Sequence, residues 1–220
     1  MPLTKPQKHV INNDARFRVL ITGRRFGKTF LAINELAKFA SQPKQKVWYV
    51  APSYRQAKQI VWNELKERLI KHKWVKKINH SDLTITLKNN SHITLRGSDN
   101  ESSLRGVGIN FLVIDEFADV SKEAWYEVLR PTLSDTKGHA LFCGSPRGFG
   151  NWSYELFKLG ESNKDWSSFK YTTLEGGQVT DDEIEQAKQD LDLRTFQQEY
   201  EATFVNYSGM IYYNFSRDKN

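Results

Sequence analysis

Cysteine is nearly absent from this sequence, since Cys143 is the only one among 220 residues. A single cysteine excludes a disulfide within the chain, which is typical of proteins from a reducing compartment. Long apolar runs are absent too, because none approaches the roughly 18 to 20 residues that a membrane-spanning helix needs. The first residues, MPLTKPQKHVINND, contain no apolar core of a secretory signal. We therefore expect a protein that is neither secreted nor embedded in a membrane.

The composition is that of a globular protein, with 39% hydrophobic and 26% charged residues. The length predicts one large domain, or one domain with an appendage. A net charge of +6 permits a polyanionic partner without identifying one. The densest basic stretch is KERLIKHKWVKK, at 66–77. We interpret it as the solvated end of a helix, with a DNA-facing surface as the alternative.

Short apolar runs alternate with segments of helical spacing. They predict strands at 17–22, 46–51, 111–114, 139–143 and 166–172, and a hairpin of 83–88 with 92–96. Helices are predicted at 28–40, 53–71, 121–129 (followed by Pro131), 152–159 and 194–204, and one more begins at Thr180 with a capping box to Glu183. The helix at 53–71 would bury Ala57, Ile60, Val61, Leu65 and Leu69. This alternation predicts an α/β fold with a mainly parallel sheet, which binds ligands where its strands end.

The stretch FRVLITGRRFGKT, at 17–29, has the order of a phosphate-binding loop: a strand, a loop ending in Gly-Lys-Thr, and a helix. The loop consists of Thr22, Gly23, Arg24, Arg25, Phe26, Gly27, Lys28 and Thr29. Its N–H groups and the helix N-terminus would face the phosphates of ATP, with Lys28 on the β- and γ-phosphates and the Thr29 hydroxyl on Mg²⁺. The general pattern has glycine where this chain has Thr22. A basic turn of an unrelated α/β protein is the alternative.

The apolar strand LVIDE, at 112–116, ends in two acids. Asp115 suits a direct or water-mediated contact with Mg²⁺, which prefers oxygen ligands. Glu116 suits a general base that orients water for attack on the γ-phosphate. An acidic turn after a buried strand is the simpler interpretation.

Phosphoryl transfer needs positive charge beyond Lys28. Arg24 could reach the γ-phosphate of its own subunit, and Arg105 (in SLRG) could reach the nucleotide of a neighbouring subunit. Arg147 follows the third strand end, and for each of the three a surface arginine is the alternative. Ser145, in a polar turn, could sense the γ-phosphate, and the amide of Gln7 could bind adenine. A plain turn and a surface glutamine are the alternatives.

The order of these motifs resembles the ATPase region of the large terminase subunit of tailed phages, the motor that pumps DNA into a preformed capsid. The resemblance runs from about Gln7 to Phe215 and rests on GRRFGKT, KVWYVAPSYRQA, SLRG, FLVIDEFAD and FCGSPRG. It implies a P-loop NTPase of the ASCE type, with a mainly parallel central sheet flanked by helices and a small helical lid subdomain. An arginine-rich phosphate loop without its first glycine is a trait of that family.

The resemblance also implies roles for single residues. Lys28 and Thr29 would bind phosphate and Mg²⁺, Asp115 would bind Mg²⁺, and Glu116 would be the catalytic glutamate. Ser145 would belong to the coupling motif and Gln7 to the adenine site. Arg24 would act in its own subunit and Arg105 on the next subunit of a ring. The strand that ends at Gly144 would lie between the strand of the phosphate loop and the acidic strand.

We expect an ATPase core at 1–176, a lid subdomain at 177–206 and, at 207–220, the start of a linker to a nuclease domain. GMIYYNF, at 209–215, resembles the entry to that domain. The acidic cluster of such a nuclease is not in this sequence, so we expect a fragment without nuclease activity.

Expected partners are double-stranded DNA, the portal of the procapsid, the small terminase subunit and further copies in a ring, with a monomer as the alternative in isolation. The expected location is the host cytoplasm. A helicase-like translocase and a nucleotide-gated DNA-binding switch are the alternative functions.

Overall fold

A computed structural model describes residues 2–206 of the chain. These residues form an eight-stranded sheet in the order β3-β4-β5-β2-β6-β7-β1-β8. The strands are β1 (Phe17–Thr22), β2 (Lys46–Ala51), β3 (Val75–Asn79), β4 (Thr84–Leu87), β5 (His92–Gly97), β6 (Phe111–Asp115), β7 (His139–Gly144) and β8 (Trp166–Tyr171). Only the pairs β3–β4 and β4–β5 are antiparallel within this sheet. The predicted α/β class with a mainly parallel sheet is confirmed.

Helices cover both faces of the sheet. They are α1 (Lys5–Ile11), α2 (Lys28–Ala40), α3 (Tyr54–Ala57, Lys58–Trp62 and Asn63–Lys71 in one run), α4 (ending in Ala124–Leu129 and Arg130–Thr132), α5 (Trp152–Ser162), α6 (Thr173–Gly176), α7 (Asp181–Asp190) and α8 (Leu193–Glu199). The middle of α3 and the segment Ala124–Leu129 are π-helical. No helix within residues 2–206 is long and apolar enough to cross a membrane.

The sheet separates two apolar cores, because successive side chains of a strand point to opposite faces. One core joins the strands to α2 and α3, and Leu20 of β1 belongs to it. The other joins the strands to α4 and α5 around Trp125, and it receives Val19 and Ile21. Central strands buried on both faces read as continuous apolar runs, which is why β1, β6 and β7 are visible in the sequence.

The strand order brings together the strand ends that carry the candidate site residues. β7 lies between β1 and β6, as the resemblance implied. In the parallel registers Ile21 is opposite Gly144, and Asp115 is opposite Cys143. The loops that follow β1, β6 and β7 therefore leave the sheet side by side.

One prediction about helix α3 is wrong, and the interpretation of its basic end is correct only as far as Lys71. Ile60, placed on the buried face, is 39% exposed, because it lies in the π-helical segment, where a wider turn shifts the face that each side chain covers. The basic stretch at 66–77 is helical only to Lys71, and β3 then begins at Val75. Three of the five residues of β3 are polar (VKKIN), since an edge strand can be solvated.

Among the other differences from the predictions are two helix ends and one helix cap. Pro131 lies inside α4, where the wider π-helical turn ahead of it lets the helix continue past a residue with no N–H. Helix α7 does begin after Thr180, but the Thr180 side chain makes no capping hydrogen bond. Helix α8 ends at Glu199 instead of residue 204, because the carbonyls of Glu199 and Tyr200 accept hydrogen bonds from Arg24 and Thr173 instead. The strand-like tail at 207–220 lies outside the described residues.

Candidate nucleotide site

The phosphate loop follows β1 and ends in a glycine with a left-handed backbone. Gly27 has a φ of 90° and precedes Lys28, the first residue of α2. The Phe26 side chain is fully buried and stacks on Tyr171 with ring centroids 5.4 Å apart. Thr22 is buried, and its hydroxyl has no hydrogen-bond partner within residues 2–206. The loop is thus a formed structure between the sheet and α2, with its backbone turned toward the helix N-terminus.

Gln7 contacts the helix end of this loop, that is, the end that leads into α2. Its side chain is 1% exposed, and Nε2 donates to the carbonyls of Phe26 (3.2 Å) and Gly27 (3.4 Å). Its Oε1 accepts from the backbone N–H of Thr4 as part of a capping box on α1. A Cβ on Gly27 would lie 2.6 Å from Gln7 Nε2, so the close approach requires glycine. The expected contact of Gln7 with adenine stays a prediction. Sequence reasoning missed the contact of Gln7 with the phosphate loop.

The end of the loop that follows β1 packs against α6 and against Tyr200, which lies in 177–206, the segment expected to be the lid. Thr173 donates from Oγ1 to the carbonyl of Arg24 at 2.8 Å, and its N–H donates to the carbonyl of Tyr200. A Cβ on Gly23 would lie 2.5 Å from both Thr173 Oγ1 and the Tyr200 carbonyl oxygen. Gly23 is therefore required for loop and lid to touch.

Arg24 points to the lid. Its N–H donates to the carbonyl of Glu199 at 2.6 Å, and its Nε donates to Glu199 Oε2, also at 2.6 Å. The hydrogen bond to this carboxylate raises the pKa of Arg24. The side chain of Arg24 is nevertheless 68% exposed. Arg25 lines a cleft of about 620 Å³ between loop and lid, together with Glu183 and Tyr200.

Asp115 is held in place by neutral groups on three sides. Tyr49 donates its hydroxyl to Oδ2 at 2.5 Å, while the N–H of Glu116 (3.1 Å) and the thiol of Cys143 (3.4 Å) donate to Oδ1. Burial raises the pKa of both Tyr49 and Cys143 well above their usual ranges, so both stay protonated. Hydrogen bonds from three neutral groups thus fix the orientation of the Asp115 carboxylate.

Glu116 has an unusual backbone and faces Lys28. Its φ of 46° is left-handed, a conformation that costs free energy in a non-glycine residue and is found at functional sites. The Lys28 Nζ lies 3.8 Å from Oε1. Burial is the main reason why the pKa of Glu116 is raised; Lys28 opposes this shift, Asp115 adds to it, and a backbone hydrogen bond from Ser145 opposes it. Ser145 is buried, so the turn after β7 contacts the acidic strand end directly.

The structure separates the three candidate arginines. Arg147 pairs with Asp119 through two hydrogen bonds of 2.8 and 3.1 Å. Arg105 is exposed and lines a different depression of about 360 Å³, with Glu127 and Asp135. Arg24 alone of the three belongs to the phosphate loop. The structure therefore brings Lys28, Asp115, Glu116 and Ser145 together and places Arg105 on another surface.

The donor set fits a magnesium ion. Thr29, half-buried in the first turn of α2, offers a hydroxyl, and Asp115 offers carboxylate oxygens from the neighbouring strand end. Oxygen ligands of this kind, few in number and supplemented by water and phosphate, are what Mg²⁺ uses in nucleotide sites.

The sequence profile of the family described as "Terminase large subunit, T4likevirus-type, N-terminal" matches residues 19–218. The chain belongs to this terminase family. The large terminase subunit of Escherichia phage T5 is 33% identical over 96% of the chain and 50% of its own length. That of Thermus phage G20c is 24% identical over 94% of the chain. The chain spans about half the length of the curated terminases it matches.

Solved terminase structures share the fold. The large terminase ATPase domain of Thermus phage P74-26 superposes with a TM-score of 0.79 at 26% identity, over 93% of this chain and 94% of that domain. The large terminase of a second thermophilic bacteriophage superposes with a TM-score of 0.80 at 22% identity, over 99% of this chain and 57% of that protein. The predicted resemblance to terminase ATPase regions is confirmed.

Proposed function

We propose that this chain is the ATPase motor region of a terminase large subunit, which hydrolyses ATP to move double-stranded DNA into a procapsid. The observation that carries the proposal is the pair Lys28 and Glu116, 3.8 Å apart across the ends of β1 and β6, with Asp115 beside them. Structures of the second thermophilic bacteriophage's large terminase in complex with ADP and with ATP-γ-S show that a protein of the same fold binds such nucleotides.

Each residue of the pair has a chemical task. Lys28 would bind the β- and γ-phosphates and neutralise charge as it develops in the transition state. Glu116 would accept a hydrogen bond from the attacking water, and its raised pKa makes it the stronger base. Asp115 and Thr29 would hold Mg²⁺, which supplies further charge neutralisation at the phosphates.

Arg24 would act in its own subunit after leaving the lid. Its present partner, Glu199, competes with the γ-phosphate for the same guanidinium. The pair is largely exposed on the arginine side, and such pairs contribute only about 0–1 kcal/mol, so a phosphate can displace the carboxylate. Binding of ATP would thereby loosen a contact between loop and lid.

Arg105 would act on a neighbouring subunit. It is exposed on a surface of its own, as expected for a group that completes the site of another copy in a ring. Duplex DNA would be bound through its phosphates without sequence preference, so salt would weaken binding. The same assignment implies that the portal and the small terminase subunit are partners and that the protein works in the host cytoplasm. We also expect no nuclease activity from this region on its own.

ATP turnover of purified variants tests the proposal. Lys28→Ala and Glu116→Gln should each reduce turnover by at least about 100-fold, the effect expected for loss of one transition-state contact. Glu155→Gln is the matched control, because Glu155 is an exposed acid paired with Lys122. Unchanged turnover in both site variants would refute the ATPase assignment.

Mixing variants tests the role of Arg105. Arg105→Ala subunits lack the arginine but retain their own glutamate, whereas Glu116→Ala subunits retain Arg105. If Arg105 acts on a neighbour, a mixture should regain part of the turnover that neither variant has alone. A mixture as inactive as its components would contradict action across subunits.

A further inference from the structure

A tyrosine hydroxyl lies deep in the apolar core of this protein. Tyr49 is in the middle of β2, opposite Val113 of β6, and its side chain is fully buried. Its ring belongs to the same core as Leu20 and Val61, where phenylalanine would pack equally well. Burying a hydroxyl without a hydrogen-bond partner is unfavourable, so the hydroxyl needs a partner. That partner is Asp115 Oδ2, at 2.5 Å.

The other carboxylate oxygen is held from the opposite side. Asp115 Oδ1 accepts from the thiol of Cys143 on β7 and from the N–H of Glu116. Donors from β2 and β7, the two strands beside β6, therefore bind the same carboxylate. A rotation of the carboxylate plane would break at least one of these hydrogen bonds. The carboxylate is oriented before any ligand arrives.

We propose that Tyr49 is a positioning residue, which orients the Asp115 carboxylate for the metal ion of a metal–nucleotide complex. The inference rests on the proposed role of Asp115 toward Mg²⁺. Mg²⁺ demands near-octahedral geometry, so a ligand that must first be oriented binds less well. Outer partners of metal ligands typically change metal affinity by about 10- to 100-fold when removed. Tyr49 and Cys143 meet this description, since each reaches the metal only through Asp115.

The test is metal binding in the absence of turnover. Mn²⁺ replaces Mg²⁺ as a spectroscopic probe, and its binding to the protein with ADP is followed by electron paramagnetic resonance. Tyr49→Phe should weaken Mn²⁺ binding by about tenfold. Cys143→Ala should weaken it less, since a thiol is a weak donor. Asp115→Asn should abolish it.

A matched control removes a hydroxyl elsewhere. The hydroxyl of Tyr54 donates to the Ser81 carbonyl at 2.7 Å, on an exposed surface. Tyr54→Phe should therefore leave Mn²⁺ binding unchanged. Thermal melting of all variants separates positioning from packing, because a purely structural Tyr49 would lower the melting temperature and leave the Mn²⁺ affinity of the folded protein intact.

The outcomes are distinct. If the native chain binds Mn²⁺ with ADP and Tyr49→Phe binds it equally well, the positioning role is overturned while the proposed function stands. If the native chain shows no Mn²⁺ binding with ADP, the role of Asp115 and this inference both fail. Mn²⁺ binding of every variant is measured below its own melting temperature, so that Tyr49→Phe decides in the folded state even if it is destabilised.

Discussion

The two ends of the phosphate loop are held in contrasting ways. At the helix end, the buried amide of Gln7 binds the carbonyls of Phe26 and Gly27. At the strand end, Arg24 is largely exposed and paired with Glu199 of the lid segment. A buried amide cannot leave without exposing unpaired polar groups, whereas an ion pair whose arginine is exposed can exchange the partner of that arginine at lower cost. If the loop binds phosphate as proposed, the helix end would fix where the phosphate binds, and the strand end would be able to change its contacts on binding.

The largest effect is expected from breaking the fixed end. Gly27→Ala places a Cβ 2.6 Å from Gln7 Nε2 and forces alanine to a φ of 90°. The strain of about 1–2 kcal/mol and the displaced amide should lower nucleotide affinity by at least about tenfold. Equilibrium binding of a fluorescent ATP analogue measures this loss.

Gly150→Ala is the control for this experiment. A Cβ at Gly150 would meet nothing within 4 Å, and its φ is not positive. Its nucleotide affinity should equal that of the native chain. Equal affinities of all three proteins would show that Gln7 does not fix the loop.

An intermediate effect of opposite sign is expected at the strand end. Glu199→Gln removes the charge that holds Arg24, so the guanidinium reaches a γ-phosphate more readily. We expect ATP to bind up to about fivefold more tightly, as loss of a competing contact of about 1 kcal/mol allows, with little change in ADP affinity. Glu185→Gln, an exposed acid on α7, should change neither affinity. Weaker ATP binding by Glu199→Gln would mean that Glu199 presents Arg24 to the nucleotide instead of withholding it.

The strands of the central sheet could be predicted from the sequence, whereas the contacts between distant parts of the chain could not. β1, β6 and β7 are predictable because strands buried on both faces are mostly apolar. Asp115 and Glu116 are predictable because they stand where β6 ends, and Lys28 because it closes the loop after β1. β3 was missed because an edge strand can carry lysines. Local pattern thus predicted the elements whose environment is set by burial alone.

Contacts between distant parts of the chain were not predictable. Arg24 and Glu199 are 175 residues apart in sequence, and no periodicity signals their hydrogen bond. Gln7 was noticed, but its contact with the loop depends on how α1 packs. Tyr49 was assigned to a strand, yet only the sheet order places its hydroxyl on Asp115. The contacts that hold the candidate site in place depend on tertiary packing, even where its chemical groups can be identified from the sequence.

The smallest effect concerns Glu116, whose Oε1 lies 3.8 Å from Lys28 Nζ and whose side chain is about one-third exposed. Its pKa in the folded protein is raised above the ordinary 4.5, chiefly by burial. Between these two values the folded state binds more protons than the unfolded state, so the free energy of unfolding falls as pH rises. The stabilising contribution is complete below pH 4.5 and is lost once the pH passes the raised pKa.

Glu116→Gln should therefore melt at a higher temperature than the native chain at pH 7, by no more than about 2–4 °C, and this advantage should shrink as the pH falls toward 4. Thermal melts over this range measure the difference. An advantage that stays constant with pH would attribute it to relief of the left-handed backbone or to packing. A pH-dependent advantage would show that the Glu116 carboxylate lowers the stability of the folded chain at neutral pH because it is partly buried.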